Sequence, residues 1–406
     1  MSSQESATGR GTLSVPLSVH EKVDICRGLF AALVVVAHAK EIAWAMHPAS
    51  LAPLSPAWRG AITCGIGQGL YYVMGFFVIS GYCIHLSVAR QMREGQFPLG
   101  DYMAARGSRI LPLYYLGLLF TVVVEWLISG ARPGTWPHGI NLATLTSQLA
   151  VVQNLTQTYG SYGPTWSITN EAFYYVLYGL LVFGLVGGQP DRPARVGLWL
   201  CLVTAVVTQV LYVTVARTPV VYSGGMLMGL GMLWFGGVLV AIHGERLIRL
   251  PGVKALTRLW PLLVLAAMAW LFAGLPPQGI YLIPGAAFTL MLLGFQDAPR
   301  VSPRGAVGPI RARVVETLGL MSYPMYLFHG PLLMLVGSWI LRGHLSSDWR
   351  VTFVVLTAVG LVSGVVLGWL LEKPLMARRA AWLKQRKTCP AGFAPGRRPV
   401  LEGMTR

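Results

Sequence analysis

The sequence predicts an all-α integral membrane protein of about ten transmembrane helices with both termini in the cytoplasm, and three observations lead there. Apolar residues make up 54% of the chain against 12% charged, with a mean hydropathy of +0.57, far from the composition of an ordinary soluble domain. Apolar stretches long enough to cross a bilayer, roughly 17 to 25 residues each, recur along nearly the whole length. Basic residues crowd into alternate loops and leave the others almost bare, which fixes the orientation by the positive-inside rule.

In chain order the spans are expected at 25–44, 68–88, 110–129, 166–187, 196–216, 223–242, 259–275, 279–295, 317–341 and 352–372. Residues 1–20, rich in Ser, Gly and Thr, form a disordered cytoplasmic tail on this reading. The first apolar stretch is too long for a cleaved signal peptide and contains a histidine. The loop 89–109 carries Arg90, Arg93, Arg106 and Arg109; 243–258 carries Arg246, Arg249, Lys254 and Arg258; 296–316 carries Arg300, Arg304, Arg311 and Arg313. The opposite loops hold little beyond Arg59, Arg132, Arg217, Arg342 and Arg350. An eleventh span at the apolar piece Leu142–Val152 would invert every later loop, so that piece belongs on the outer surface. Pro276 and Pro277 separate the seventh and eighth spans by a short turn. The membrane domain thus runs over 21–375, and 376–406 is a basic cytoplasmic tail.

The net charge of +17 is mostly cytoplasmic-face arginine, which orients the chain and meets anionic lipid, and it is no argument for nucleic acid. The five cysteines, Cys26, Cys64, Cys83, Cys201 and Cys389, show no metal or redox spacing, and no metal site is expected.

Ionisable residues inside the spans carry the chemistry. Arg27 opens the first span and His38 lies deep within it, about three turns and 16 Å further on, on the same face. Buried groups of this kind line a cavity or take part in transport or chemistry, although a neighbouring helix's hydroxyl or carbonyl would also satisfy a histidine there. Glu171, in Trp166-Ser167-Ile168-Thr169-Asn170-Glu171, enters from the outer face and reaches about the depth of His38, so the two side chains are expected to meet. An interfacial tryptophan with a helix cap and a dipole-favoured acid accounts for the same segment without chemistry. His329, in Ser322-Tyr323-Pro324-Met325-Tyr326-Leu327-Phe328-His329, is a second mid-membrane histidine. Ser80-Gly81 and the glycine-rich Gly225–Gly237 read as close helix packing. His85 and Glu125 lie nearer the membrane edges, within reach of interfacial water, and are given no role.

Taken in order, these motifs resemble the acyltransferase-three family of bacterial membrane O-acyltransferases. Asp24-Ile25-Cys26-Arg27-Gly28 with His38 is similar to its arginine-x10-histidine motif, and Phe76-Phe77-Val78-Ile79-Ser80-Gly81-Tyr82 to its second-helix signature. Arg106-Gly107-Ser108-Arg109 with Pro112 resembles its Arg-x-x-Arg start to the third helix. Trp166-Ser167 with Glu171, Ser322 to Leu327 with His329, and Glu372 with Pro374 complete the series. Cys26 stands where a larger residue is usual in the family, and Asn170 directly precedes the glutamate.

The resemblance implies transfer of an acyl group, most often acetyl, from cytoplasmic acyl-CoA to a hydroxyl, usually on a glycan such as a surface or exported polysaccharide, at the bacterial inner membrane. No bound cofactor is implied, acyl-CoA being a co-substrate. On this reading His38 is the general base and Glu171 orients its imidazole; Arg27, Arg106 and Arg109 hold the anionic donor. Trp166, Ser167, Tyr323 and His329 are candidates for supporting the base or contacting the acceptor. Many relatives carry a fused extracytoplasmic hydrolase-like domain, and this sequence ends at Arg406, so a separate extracytoplasmic transferase partner is one expectation and unaided transfer the other. A lipid-linked saccharide, or a small lipophilic hydroxyl compound such as a macrolide, is an alternative acceptor. A secondary transporter would use the same buried groups, but the paired interrupted repeats common in transporters are not found.

Overall fold

The computed structural model describes residues 16–93, 97–128, 139–185, 189–215, 217–273, 281–300, 308–344 and 348–388. Among them there is no strand, and nearly every segment is helical. The helices are α1 (Val19–Met46), α2 (Pro56–Ile66), α3 (Gly69–Arg93), α4 (Leu99–Ile128), α5 (Leu142–Leu149), α6 (Trp166–Gly184), α7 (Arg192–Thr214), α8 (Pro219–Leu247), α9 (Val253–Thr257), α10 (Trp260–Phe272), α11 (Leu282–Phe295), α12 (Pro309–Trp339), α13 (Trp349–Leu367) and α14 (Lys373–Thr388). A π-type turn at Gly368–Glu372 joins α13 to α14.

A helix stands at each of the expected spans. Among the described residues, seven helical stretches are long and apolar enough to cross a membrane: α1, α2 with α3, α4, α7, α8, α12, and α13 with its extension. At the other expected spans the helices are less clear-cut. Helix α6 starts at the expected Trp166 but carries Asn170 and Glu171 in its first turns. Helices α10 and α11, with 13 and 14 residues, are shorter than expected, about 20 Å each against a hydrocarbon layer of about 30 Å. The piece at Leu142–Val152 is the eight-residue α5, far too short to span.

Local chemistry explains several helix ends. Ser18 caps α1 in a capping box: Glu21 N–H donates to Ser18 Oγ at 3.3 Å, and Ser18 N–H donates to Glu21 Oε2 at 2.9 Å. Arg311 Nη2 also donates to Glu21 Oε2, at 2.8 Å, tying the start of α12 to the start of α1. Asn141 caps α5, whose Gln148 side chain donates to Tyr114 and Thr165 at 2.8 Å each, so α5 is fastened to α4 and to the turn that leads into α6.

The bundle centres on α1, α3 and α12. Helix α1 packs against α12, α3 and α13, while α3 lies between α1 and α8. The α3–α8 contact is made by backbone: a Cβ at Gly81 would fall 1.9 Å from Trp234 O, and one at Gly237 1.9 Å from Val78 O. Trp199, Val203, Val206 and Val210 of α7 and Leu262 and Leu265 of α10 point outward, as lipid-facing side chains do.

Two expectations about the membrane edges are corrected. His85 and Glu125 are buried, at 5% and 3% exposure, and contact tertiary partners rather than interfacial water. His85 Nδ1 lies 2.6 Å from Tyr178 Oη, and Glu125 Oε1 accepts from Ser161 N–H at 2.5 Å. Part of the expected basic tail is folded too, since α14 runs on to Thr388; the N-terminal tail up to 15, Cys389 and the rest of the C-terminal tail lie outside the described residues.

Candidate active site

The sequence places an arginine at the start of the first span and two more at the start of the third, and the fold brings all three to one cavity. Arg27 comes from α1, Arg106 and Arg109 from the first turns of α4, and with them stands Arg379 of α14. The cavity measures about 340 Å³, and its other polar walls are Ser80, Ser167, Glu171, Tyr175, Ser322, Tyr323 and Tyr326. Four arginines face a single glutamate, so the cavity is electropositive and suited to an anionic guest.

The arginines are held in different ways. Arg27 Nη1 lies 3.6 Å from Asp24 Oδ1. Arg106 Nη2 donates to Ser87 Oγ at 3.0 Å, while its Nε–H is buried with no hydrogen-bond partner. Arg109 is paired with Glu372 at 2.6 Å, and its guanidinium lies 5.0 Å from the centre of the Tyr323 ring. Arg379 donates to Ala105 O at 2.8 Å and to Ser108 Oγ at 3.3 Å, which seats α14 on the start of α4.

Glu171 lines the same cavity. Ser80 and Tyr175 both donate hydroxyl hydrogens to its Oε1, at 2.7 and 2.5 Å. Trp234 Nε1–H in turn donates to Ser80 Oγ at 3.2 Å, giving a chain of donors that ends on the carboxylate. Ser80, read in the sequence as a packing residue, is therefore part of the site, and the packing falls to its neighbour Gly81.

His38 meets His329 rather than the expected Glu171. Its Nδ1 lies 2.8 Å from His329 Nε2, with the rings stacked 6° from parallel. Helix α1 packs along α12, which presents His329, whereas α6 presents Glu171 to α3. The hydrogen bonds fix the tautomers. His329 Nδ1 lies 2.9 Å from Met325 O, a group that only accepts, so Nδ1 carries the hydrogen and neutral Nε2 is the acceptor. His38 then donates from Nδ1, which leaves its Nε2 as the basic nitrogen. His329 is fully buried, while His38 keeps part of its surface open.

Tyr326 connects the two regions. It lines the cavity, and its ring centroid is 6.0 Å from that of His329 and 6.0 Å from that of Phe76. Its hydroxyl donates to Pro164 O at 2.5 Å and accepts from Ser167 Oγ at 2.6 Å, so the turn before α6 is anchored to α12. Trp166 packs edge-on against Phe77 with centroids 6.3 Å apart, and Tyr323 donates to Ile110 O at 2.8 Å. Sequence reasoning missed Ser80, Tyr175, Tyr326 and Arg379; only the donor-rich run around Tyr323 and Tyr326 held a usable signal. No cluster of His, Cys, Asp and Glu among the described residues is suited to a metal ion.

A protein-family model described as an acyltransferase domain, that of the acyltransferase-three family, matches residues 20–373. No curated protein and no solved structure matches the chain.

Proposed function

The chain belongs to this acyltransferase family, and from that premise we propose that it is a membrane O-acyltransferase moving an acetyl group from cytoplasmic acyl-CoA to a hydroxyl of a glycan, a surface or exported polysaccharide. The observation that carries the reading is the four-arginine cavity with Tyr326 in its wall, whose ring lies 6.0 Å from that of His329, the partner of His38. Arginine forks suit the phosphates of CoA, and the pantetheine arm would run inward along the cavity.

The reaction then uses the tautomers set by the histidine pair. His38 Nε2 takes the proton of the acceptor hydroxyl as its oxygen bonds to the thioester carbonyl carbon. The carbon–sulfur bond breaks, and the CoA thiolate recovers the proton from the His38 imidazolium. His329 orients the base through Nδ1 and shares the positive charge, the role first expected of Glu171. Glu171, held by Ser80 and Tyr175, instead supplies a fixed negative charge and an acceptor on the cavity wall.

The test is purified protein in lipid with radiolabelled acetyl-CoA and candidate acceptors, following release of free CoA thiol. Acceptor-dependent thiol release that is lost in His38→Ala supports the reading. Release of thiol by His38→Ala at the wild-type rate refutes it.

A further inference from the structure

Beside the arginine cavity lies a second hollow of about 220 Å³, formed where α14 crosses the start of α4. Arg378, Arg379 and Trp382 line it from α14, Ser108 and Arg109 from α4. Arg109, Met376 and Arg379 border both spaces, so the two are neighbours through a shared wall. The acid in this groove, Glu372, is already neutralised by Arg109 at 2.6 Å. Arg378 is exposed, and Trp382 is 39% exposed with Arg386 stacked on its ring at 5.1 Å. A groove with an indole, two arginines besides the acid-paired Arg109, and a seryl hydroxyl has the chemistry for a phosphorylated purine: the ring stacks and the phosphates take the forks.

We propose that this groove binds the phosphorylated adenosine end of acyl-CoA, making α14 a working part of the donor site rather than a topological tail. The proposal rests on the acyl-CoA reading above and deepens it. The adenine and 3′-phosphate lie in the α4–α14 groove, the diphosphate passes Arg109 and Arg379 at the shared border to meet the cavity arginines, and the pantetheine runs on with its thioester toward Tyr326.

The test compares acetyl-CoA with acetyl-pantetheine, which lacks the nucleotide. The variant is Arg378→Ala with Trp382→Ala, two exposed positions outside the catalytic machinery. The KM for acetyl-CoA should rise about tenfold, the equivalent of one lost contact of about 1.4 kcal/mol, with kcat unchanged and acetyl-pantetheine kinetics unaltered. An equal loss with both donors would mean a structural role, and no change with either would mean an idle groove; each overturns the proposal. Binding of adenosine 3′,5′-bisphosphate to purified wild type and variant decides the matter even if no acetyl transfer is seen: weaker binding to the variant supports the groove, equal binding removes it. An anionic lipid headgroup offers the same phosphate, so the KM comparison is repeated in vesicles with and without phosphatidylglycerol. A KM effect that appears only with phosphatidylglycerol assigns the groove to lipid and overturns the proposal.

Discussion

His38 and His329 stack 6° from parallel with Nδ1 and Nε2 2.8 Å apart, and the carbonyl of Met325 fixes which nitrogen of each ring carries the hydrogen, so that Nε2 is the basic nitrogen of His38. Removing the base and removing its acceptor should therefore differ. His38→Ala is expected to lose about 100-fold or more in kcat, the usual worth of a general base, at normal accumulation in the membrane. His329→Gln keeps a carbonyl oxygen to accept from His38 and should retain more activity than His329→Leu, which leaves the imidazole without an acceptor. Equal activity of the two His329 variants would show that His38 does not depend on this hydrogen bond.

The second prediction concerns the donor chain on Glu171. Glu171→Gln removes the charge, and Ser80→Ala removes one of the hydroxyls that hold it. Because both changes act on one hydrogen-bond network, a double-mutant cycle on kcat/KM should give an interaction term of roughly 0.5–3 kcal/mol. Additive losses would mean that Ser80 matters only as a small residue.

How far the sequence showed this arrangement depends on the kind of signal. Helix positions were readable because lipid-length apolar runs leave few alternatives, and Trp166 marks the start of α6 where its proline turn said it would. Azimuth was not: His38 and Glu171 were matched by level alone, and their partners are set by which helices pack side by side, a property of the whole bundle. Ser80 and Arg379 were hidden for a different reason. Each has an ordinary explanation, close packing for a serine beside glycine and positive-inside charge for an arginine in a basic tail, and only their common cavity separates them from it.

The α3–α8 contact gives a stability prediction. Gly237→Ala would put a methyl group 1.9 Å from Val78 O, with no flexible side chain to give way. The helices must separate, so the variant should accumulate poorly or melt at clearly lower temperature than Gly224→Ala, where nothing lies within 4 Å of the added carbon. Equal melting temperatures in detergent would mean that the two helices are not in backbone contact.

Orientation is tested by labelling in a background where the native cysteines are replaced. Ala143→Cys lies on the exposed surface of α5 and Ala255→Cys on the exposed surface of α9, in a loop rich in basic residues. An impermeant thiol reagent applied to spheroplasts should label the first and not the second, as the positive-inside rule requires. The reverse pattern would turn the molecule over and place the arginine cavity on the side without acyl-CoA.

The last prediction separates the two arginines of α4, which the sequence treats alike. Arg109 is committed to Glu372 at 2.6 Å and stacks on Tyr323, whereas Arg106 carries a buried Nε–H with no partner in a cavity of net positive charge. A buried donor left unpaired costs about 1–3 kcal/mol, and an anionic ligand would relieve that cost. Lysine keeps the charge of either residue but cannot reproduce the planar fork, so anchoring alone predicts that both substitutions are harmless. Arg106→Lys should instead raise the KM for acetyl-CoA about tenfold with little change in protein yield, in line with loss of a charge-assisted contact of about 1.5–3 kcal/mol partly offset by the retained charge. Arg109→Lys should act mainly on thermal stability, because a buried carboxylate loses its matched partner, and Glu372→Gln made alongside it should recover part of that loss. A KM effect for Arg109→Lys larger than that for Arg106→Lys would exchange the two roles.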